Sequence, residues 1–370
     1  TYSTVEGSVS TPVTDATSPV AIQAARYAIE KPFEITDMSK VEVPGYGGSE
    51  GSDIDLKGSG TDMDPYRISK AEDMKGIAGK LKAGDTVYFQ LTEDIDMSGL
   101  GNWEPVCITE DGKGMKFDGQ GHTIKGFKST GKTYASLFGV VNGTVADLNL
   151  ENCEVSNSGL CGVLAAECGN SSGSLSAEII NGHAKNCTVT VNGASAATEM
   201  GGLSAIAGKA KFTGCSFEGK LSTNKGGYCG GLVGKVAYET TIERCWTDIE
   251  MNVTGGNQNG GILGAPMANK PVTIRNCYSK GKITGKGSYM GGITGEMSKG
   301  STCESCWSSM SLTGGYSHGG ITGRCSNLGN PNSGGTFNTD FGITVKDCIA
   351  WNPSIQTTTA AGENPSSHYS

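Results

Sequence analysis

Gly260-Gly261-Ile262-Leu263-Gly264 and, thirteen residues beyond it, Cys277 in Asn276-Cys277-Tyr278-Ser279-Lys280 decide the fold, because both elements recur. Doublets of the same type begin at Gly201, Gly230, Gly260, Gly291 and Gly319, in steps of 29, 30, 31 and 28 residues. Weaker copies stand at Ser136-Leu137-Phe138-Gly139 and Cys161-Gly162-Val163-Leu164-Ala165. A second register holds Cys153, Cys187, Cys215, Cys245, Cys277, Cys306 and Cys348, each with an apolar or small residue three places earlier. A fixed period near 30 residues marks a solenoid. Within each repeat, small or apolar positions alternate with polar ones, as from Cys277 to Ile283, which is the period of a strand. Glycine is far too frequent for helix pairs. The sequence therefore predicts an all-β chain folded as a right-handed parallel β-helix of ~30-residue coils, stacked about 4.8 Å apart.

The residue before each register cysteine is Asn152, Asn186, Gly214, Arg244, Asn276, Ser305 or Asp347. Asn, Gly and Asp accept a left-handed backbone, so this column reads as a corner, with Arg244 out of character. The cysteines then form one inward stack of buried, reduced thiols. Residues following them point outward. That outer column reads Glu154, Thr188, Ser216, Trp246, Tyr278, Trp307, Ile349, so Trp246, Tyr278 and Trp307 form an aromatic strip on consecutive coils. Asp248 falls beside Lys280, and Glu250 beside Lys282. The strip is the candidate binding site: exposed rings can contact sugars or a protein partner, or can serve only to brace the sheet.

Composition agrees with a loop-rich soluble β protein: 58 glycines in 370 residues, 36% hydrophobic, and a formal net charge of −8. The negative balance argues against nucleic acid and anionic membrane as partners. No run of 18 apolar residues offers a membrane-spanning helix. Three domain segments are expected. Residues 1–63 carry a possible helix from Ser18 to Glu30 and a Gly/Ser-rich linker over 44–61. Residues 64–351 form the β-helix, opened by a short amphipathic capping helix near 69–82, with Ser69 and Glu72 as a capping box. Residues 352–370 form a polar tail. Unequal spacing between glycine doublet and cysteine places two long loops, near 166–183 and 324–344, on one edge of the stack.

Several motifs then carry a resemblance. They are Asp64-Pro65-Tyr66-Arg67-Ile68, the helix, Tyr88 to Met97, Trp103-Glu104-Pro105-Val106, Phe117 to Ile124, Ser136 to Gly139 and the glycine repeats. Together they resemble GLUG-repeat proteins, which include non-catalytic regions of bacterial IgA1-specific metallopeptidases and surface proteins of gut Bacteroidales. The resemblance spans roughly 64–350. It implies a parallel β-helix on the outer cell surface or secreted, serving as an adhesion, ligand-binding or spacer module. A host glycoprotein or glycan is the partner class it suggests.

Catalysis finds little support in the residues. A zinc peptidase needs HExxH, and none of His122, His183, His318 and His368 begins one. No cofactor and no metal site are expected. Cys303-Glu304-Ser305-Cys306 has the CxxC form, but both cysteines fall in core columns and no second CxxC exists. Among the remaining cysteines, Cys161 with Cys168 is a weak local disulfide candidate. The alternative function is a carbohydrate-active β-helix, a polysaccharide lyase or glycoside hydrolase using paired carboxylates. Its candidates are Asn338-Thr339-Asp340 and His318, in the wrong order for a polygalacturonase. Asp94, Asp96, Asp118 and His122 read as turn and corner residues.

Overall fold

Each repeat makes one rung, and every strand pairing between successive rungs is parallel. The computed structural model describes residues 54–106, 113–131, 133–192, 198–224, 226–255, 257–325 and 342–357. A representative rung runs Thr240–Glu243, a left-handed corner, Trp246–Val253, Gln258–Gly260, then Leu263–Pro266. Stacked, these segments make three sheets, one of which holds seven strands from Tyr134–Ala135 to Ser317–Gly319. The parallel β-helix read from the period is the fold. Inside it runs a continuous core, with Phe117, Val145, Ile179, Phe212, Ile242, Ile274 and Cys303 in one buried column.

The glycine doublets are explained by space. A β-carbon on Gly230, Gly260, Gly291 or Gly319 would lie 1.8–2.0 Å from a carbonyl oxygen three residues ahead. One on Gly231, Gly261 or Gly292 would lie 2.0 Å from a carbonyl of the next rung. None of these residues has a positive φ. The bend brings backbone against backbone, and only glycine leaves room.

The corner column is left-handed throughout. Asn276, Ser305 and Asp347 have φ of 54°, 53° and 54°, and Arg244 joins them at 54°. Its side chain does not prevent the turn, because the Arg244 N–H donates to the Arg275 carbonyl of the next rung and holds the corner in register.

The single column of seven cysteines is corrected to two. Gly182, not Cys187, lies in register with Cys215: Gly182 pairs with Leu148 while the next residue, His183, pairs with Ser216. Cys187 pairs instead with Gly219, Ile249 follows it, and Cys153 and Cys187 form a separate pair of neighbours. The cause is a second left-handed corner in the earlier coils. There the chain turns at Asp147 and again at Asn152, then at Asn181 and again at Asn186. Later coils have one such corner between the corresponding strands, and a register shift between Lys185 and Cys187 absorbs the difference. For the same reason Leu150 and Ala184 are not in the column of Phe212; Val145 and Ile179 are.

The long loop expected over 166–183 is mostly strand. Ala165–Cys168 and Ser176–Val191 pair on both sides with neighbouring rungs, leaving a short connection between them. Extra residues there lengthen the strand and add the second corner rather than projecting. Of the loop near 324–344, residues 326–341 lie outside the described residues, as do the helix at 18–30 and the tail from 358.

At the first rungs, a 3-10 turn over Ala71–Gly76 runs into a helix over Ile77–Lys80. Met74 and Ile77 are fully buried against the first rungs, together with Leu56. The box partner is Asp73 rather than Glu72. Its carboxylate accepts from the Ser69 N–H at 2.9 Å, the Ser69 hydroxyl at 3.1 Å and the Lys70 N–H at 3.2 Å. The N-cap is Lys70, one residue later than Ser69, so the N3 carboxylate that reaches back belongs to Asp73.

Candidate functional site

Strands Trp246–Val253, Tyr278–Gly285 and Trp307–Thr313 place Trp246, Tyr278 and Trp307 directly above one another. Strand alternation turns the preceding thiols inward and these rings outward. Tyr278 stacks on Trp246 with ring centroids 5.7 Å apart and on Trp307 at 4.7 Å, with planes 3° apart in both pairs. Trp246 and Tyr278 are half-buried, and Trp307 is 40% exposed. Because the rings lie face to face, the strip presents their edges along its length. Beyond Trp307 the column continues to Ile349, which is 63% exposed.

Residues 349–357 do not fold back over the strip. Ile349–Ala350 and Ile355–Gln356 add to the same sheet as the next rung, and the Asn352 amide donates to the Met310 carbonyl at 2.8 Å. Trp351 is left 80% exposed.

Beside the rings runs a shallow groove lined by Glu218, Lys220, Asp248, Glu250, Lys282 and Ser311. Lys280 pairs with Asp248 at 3.1 Å and Lys282 with Glu250 at 2.8 Å, as the register required. The bond from Lys282 holds the Glu250 carboxyl below its ordinary range, and the bond to Asp248 raises Lys280. Lys280 also lies 5.8 Å from the Trp246 ring centroid. Donors and acceptors therefore alternate beside an apolar ridge.

The second corner also alters the upstream end of the strip. Glu154 and Thr188 do not belong to its column; Thr188 lies in register with Lys220 and Glu250. The column instead continues from Ser216 to His183, whose Nδ1 lies 2.8 Å from the Ser216 hydroxyl. Burial lowers the His183 pKa, so the ring is neutral at pH 7. No local signal marks His183 for this position. It can be found only once the extra corner is counted.

The twelve described cysteines are all free, Cys161 and Cys168 included. Cys153, Cys187, Cys215, Cys245, Cys277 and Cys306 are buried, whereas Cys348 at the last described rung is half-buried. Burial pushes the thiols of Cys161, Cys168 and Cys229 up to about 12. They are protonated and inert at neutral pH. Cys303 and Cys306 do sit in core columns, and the stacking brings Cys348 to them from the following rung.

Residues weighed for catalysis hold corners. Asp94 accepts from the Thr123 N–H at 3.0 Å and meets His122 Nδ1 at 3.2 Å. Asp96 accepts from Ser98 N–H, and Asp118 from Gln120 N–H. His318 is half-buried, and among the described residues neither ring nitrogen has a hydrogen-bond partner. Asn338-Thr339-Asp340 lie outside the described residues.

No protein-family model matches the chain. Over 135 residues it is 31% identical to a protein of Evansella cellulosilytica described as a "Putative Gly-rich membrane protein". That match takes in 34% of this chain and only 15% of the relative. The crystal structure of a "putative immunoglobulin A1 protease" from Bacteroides ovatus shares the fold, with a TM-score of 0.59 at 24% identity over 79% of this chain and 86% of that one. The β-solenoid architecture is thus common to this chain and a protein carrying that description.

Proposed function

We propose that this chain is a non-catalytic GLUG-type β-helix displayed outside the bacterial cell, where it acts as an adhesin-like module binding glycans of host glycoproteins. The observation that carries this reading is the coplanar stack of Trp246, Tyr278 and Trp307 beside a groove of alternating lysines and carboxylates. Stacked rings are already ordered, so a ligand contacting them loses little further side-chain entropy. Their edges supply apolar contact, while the groove supplies bonds for hydroxyl groups. A soluble surface seldom exposes a contiguous apolar ridge without use. The fold shared with the Bacteroides ovatus protein is consistent with a repeat module and supplies no chemistry of its own.

The test is a glycan and host-glycoprotein array probed with the intact chain, followed by Trp307→Ala and Trp246→Ala. Binding of a defined glycan class, weakened by about 1–3 kcal/mol in each variant with the melting transition little changed, is the expected result. Silence across the array, or binding indifferent to both substitutions, overturns the reading. Turnover in a parallel polysaccharide-degradation screen would favour the enzyme instead.

A further inference from the structure

The last described rungs hold a cluster of chemistry that the aromatic strip does not use. Cys303 ends one column of the interior, opposite Val345. Cys306 follows three residues later, across the left-handed corner at Ser305. Cys348, just beyond the corresponding corner at Asp347, stacks one rung further on. The three sulfur atoms lie within 4.8 Å of one another, with Cys303 and Cys348 Sγ 3.9 Å apart. Cys303 and Cys306 are buried, while Cys348 is half-buried and opens the cluster to solvent. Elsewhere in the thiol columns neighbours meet in single file; here the corner lets a third sulfur close a triangle.

We propose that Cys303, Cys306 and Cys348 form a trigonal three-thiolate site for a soft monovalent cation, specifically Cu(I). A metal–sulfur bond of about 2.3 Å in a trigonal plane places the sulfurs about 4.0 Å apart, so the observed triangle needs only small side-chain adjustments. Thiolates select soft ions. Among the described residues no histidine or carboxylate completes the group to four, the number a structural zinc site requires. Binding exchanges the three thiol protons for one cation, and the protons leave to solvent.

The intact chain, reduced and kept anaerobic, is titrated with Cu(I) against a chromophoric Cu(I) chelator, and the bound metal is examined by X-ray absorption. One equivalent in an all-sulfur, three-coordinate shell is expected. Cys348→Ser, at a half-buried position that leaves the core intact, lowers affinity at least tenfold. Cys325→Ser, at an exposed cysteine outside the cluster, leaves it unchanged. A thermal melt confirms that both variants fold. Failure of the intact chain to compete for Cu(I), undiminished binding by folded Cys348→Ser, or a preference for zinc in a four-coordinate shell overturns the assignment. Glycan binding by the aromatic strip is read separately, so either proposal can fail without the other.

Discussion

Two ladders run along the same strands, one residue apart, and they obey different rules. The inner ladder, Cys215, Cys245, Cys277 and Cys306, is buried throughout. Its thiols donate to backbone carbonyls, as Cys277 does to Arg275 at 3.2 Å. The outer ladder, Trp246, Tyr278 and Trp307, stacks ring on ring with polar groups at its side. Inside, the column is set by volume and by the cost of stranding a polar group. Outside, nothing in the packing demands aromatic residues, since Ser216 and Ile349 occupy the same column. That difference makes the outer ladder the place to look for function and the inner one the place to look for stability.

The contrast breaks most sharply under charge. Cys245→Asp places a carboxylate in an apolar column and should destabilise by more than about 4 kcal/mol, enough to prevent folding. Trp246→Asp, one residue away, should lose little beyond the ring contact, about 0.5–1.5 kcal/mol. Urea denaturation of the two variants decides; equal losses would mean the strand faces are wrongly assigned.

A gentler change sharpens the same point. Cys277→Ser should lose about 1–3 kcal/mol, because a hydroxyl is smaller and more polar than the thiol it replaces. Thiol labelling adds a direct check. Cys325 and Cys348 should react in the native protein, and the six buried ladder cysteines only after denaturation.

Alkaline pH probes the interior as a whole. Cys161, Cys168 and Cys229 titrate near 12 when folded, against an ordinary value of 9.0. Between those values the unfolded chain has released protons that the folded chain retains, so stability falls as pH rises. The contribution is complete below about pH 9 and gone above about pH 12, a window that stability measurements against pH would reveal. A flat profile across it would show that these thiols are accessible.

The smallest effect is expected at the corner. Arg244 adopts φ 54°, which an unbranched cationic side chain tolerates less well than asparagine does. Arg244→Asn should therefore gain up to about 1 kcal/mol, measured as a raised melting temperature. Glu243 keeps its pairing with Arg275 at 2.7 Å in that variant.

The repeat and its faces were legible in the sequence because each rung must satisfy the same local demands. Gly260-Gly261 recurs because backbone meets backbone at that bend, and Asn276 because the corner requires a left-handed residue. Trp246, Tyr278 and Trp307 could be placed on one face because the spacing of these coils is nearly constant and side chains alternate along a strand. Asp248 with Lys280 and Glu250 with Lys282 followed from the same count.

Register across unequal coils belonged to the tertiary structure. Residues such as Asn181 and Asn186 are both competent corners, and local sequence does not say which one continues the column of Gly214. Pairing of His183 with Ser216 settles it, because hydrogen bonds between rungs, not residue types, choose among equivalent alignments. The same is true of the thiol triangle: Cys303 and Cys306 announce themselves by spacing, but Cys348 reaches them only through the stacking of one rung on the next. Sequence alone determines what each coil can do locally. Which residues of different coils meet is decided when the coils stack.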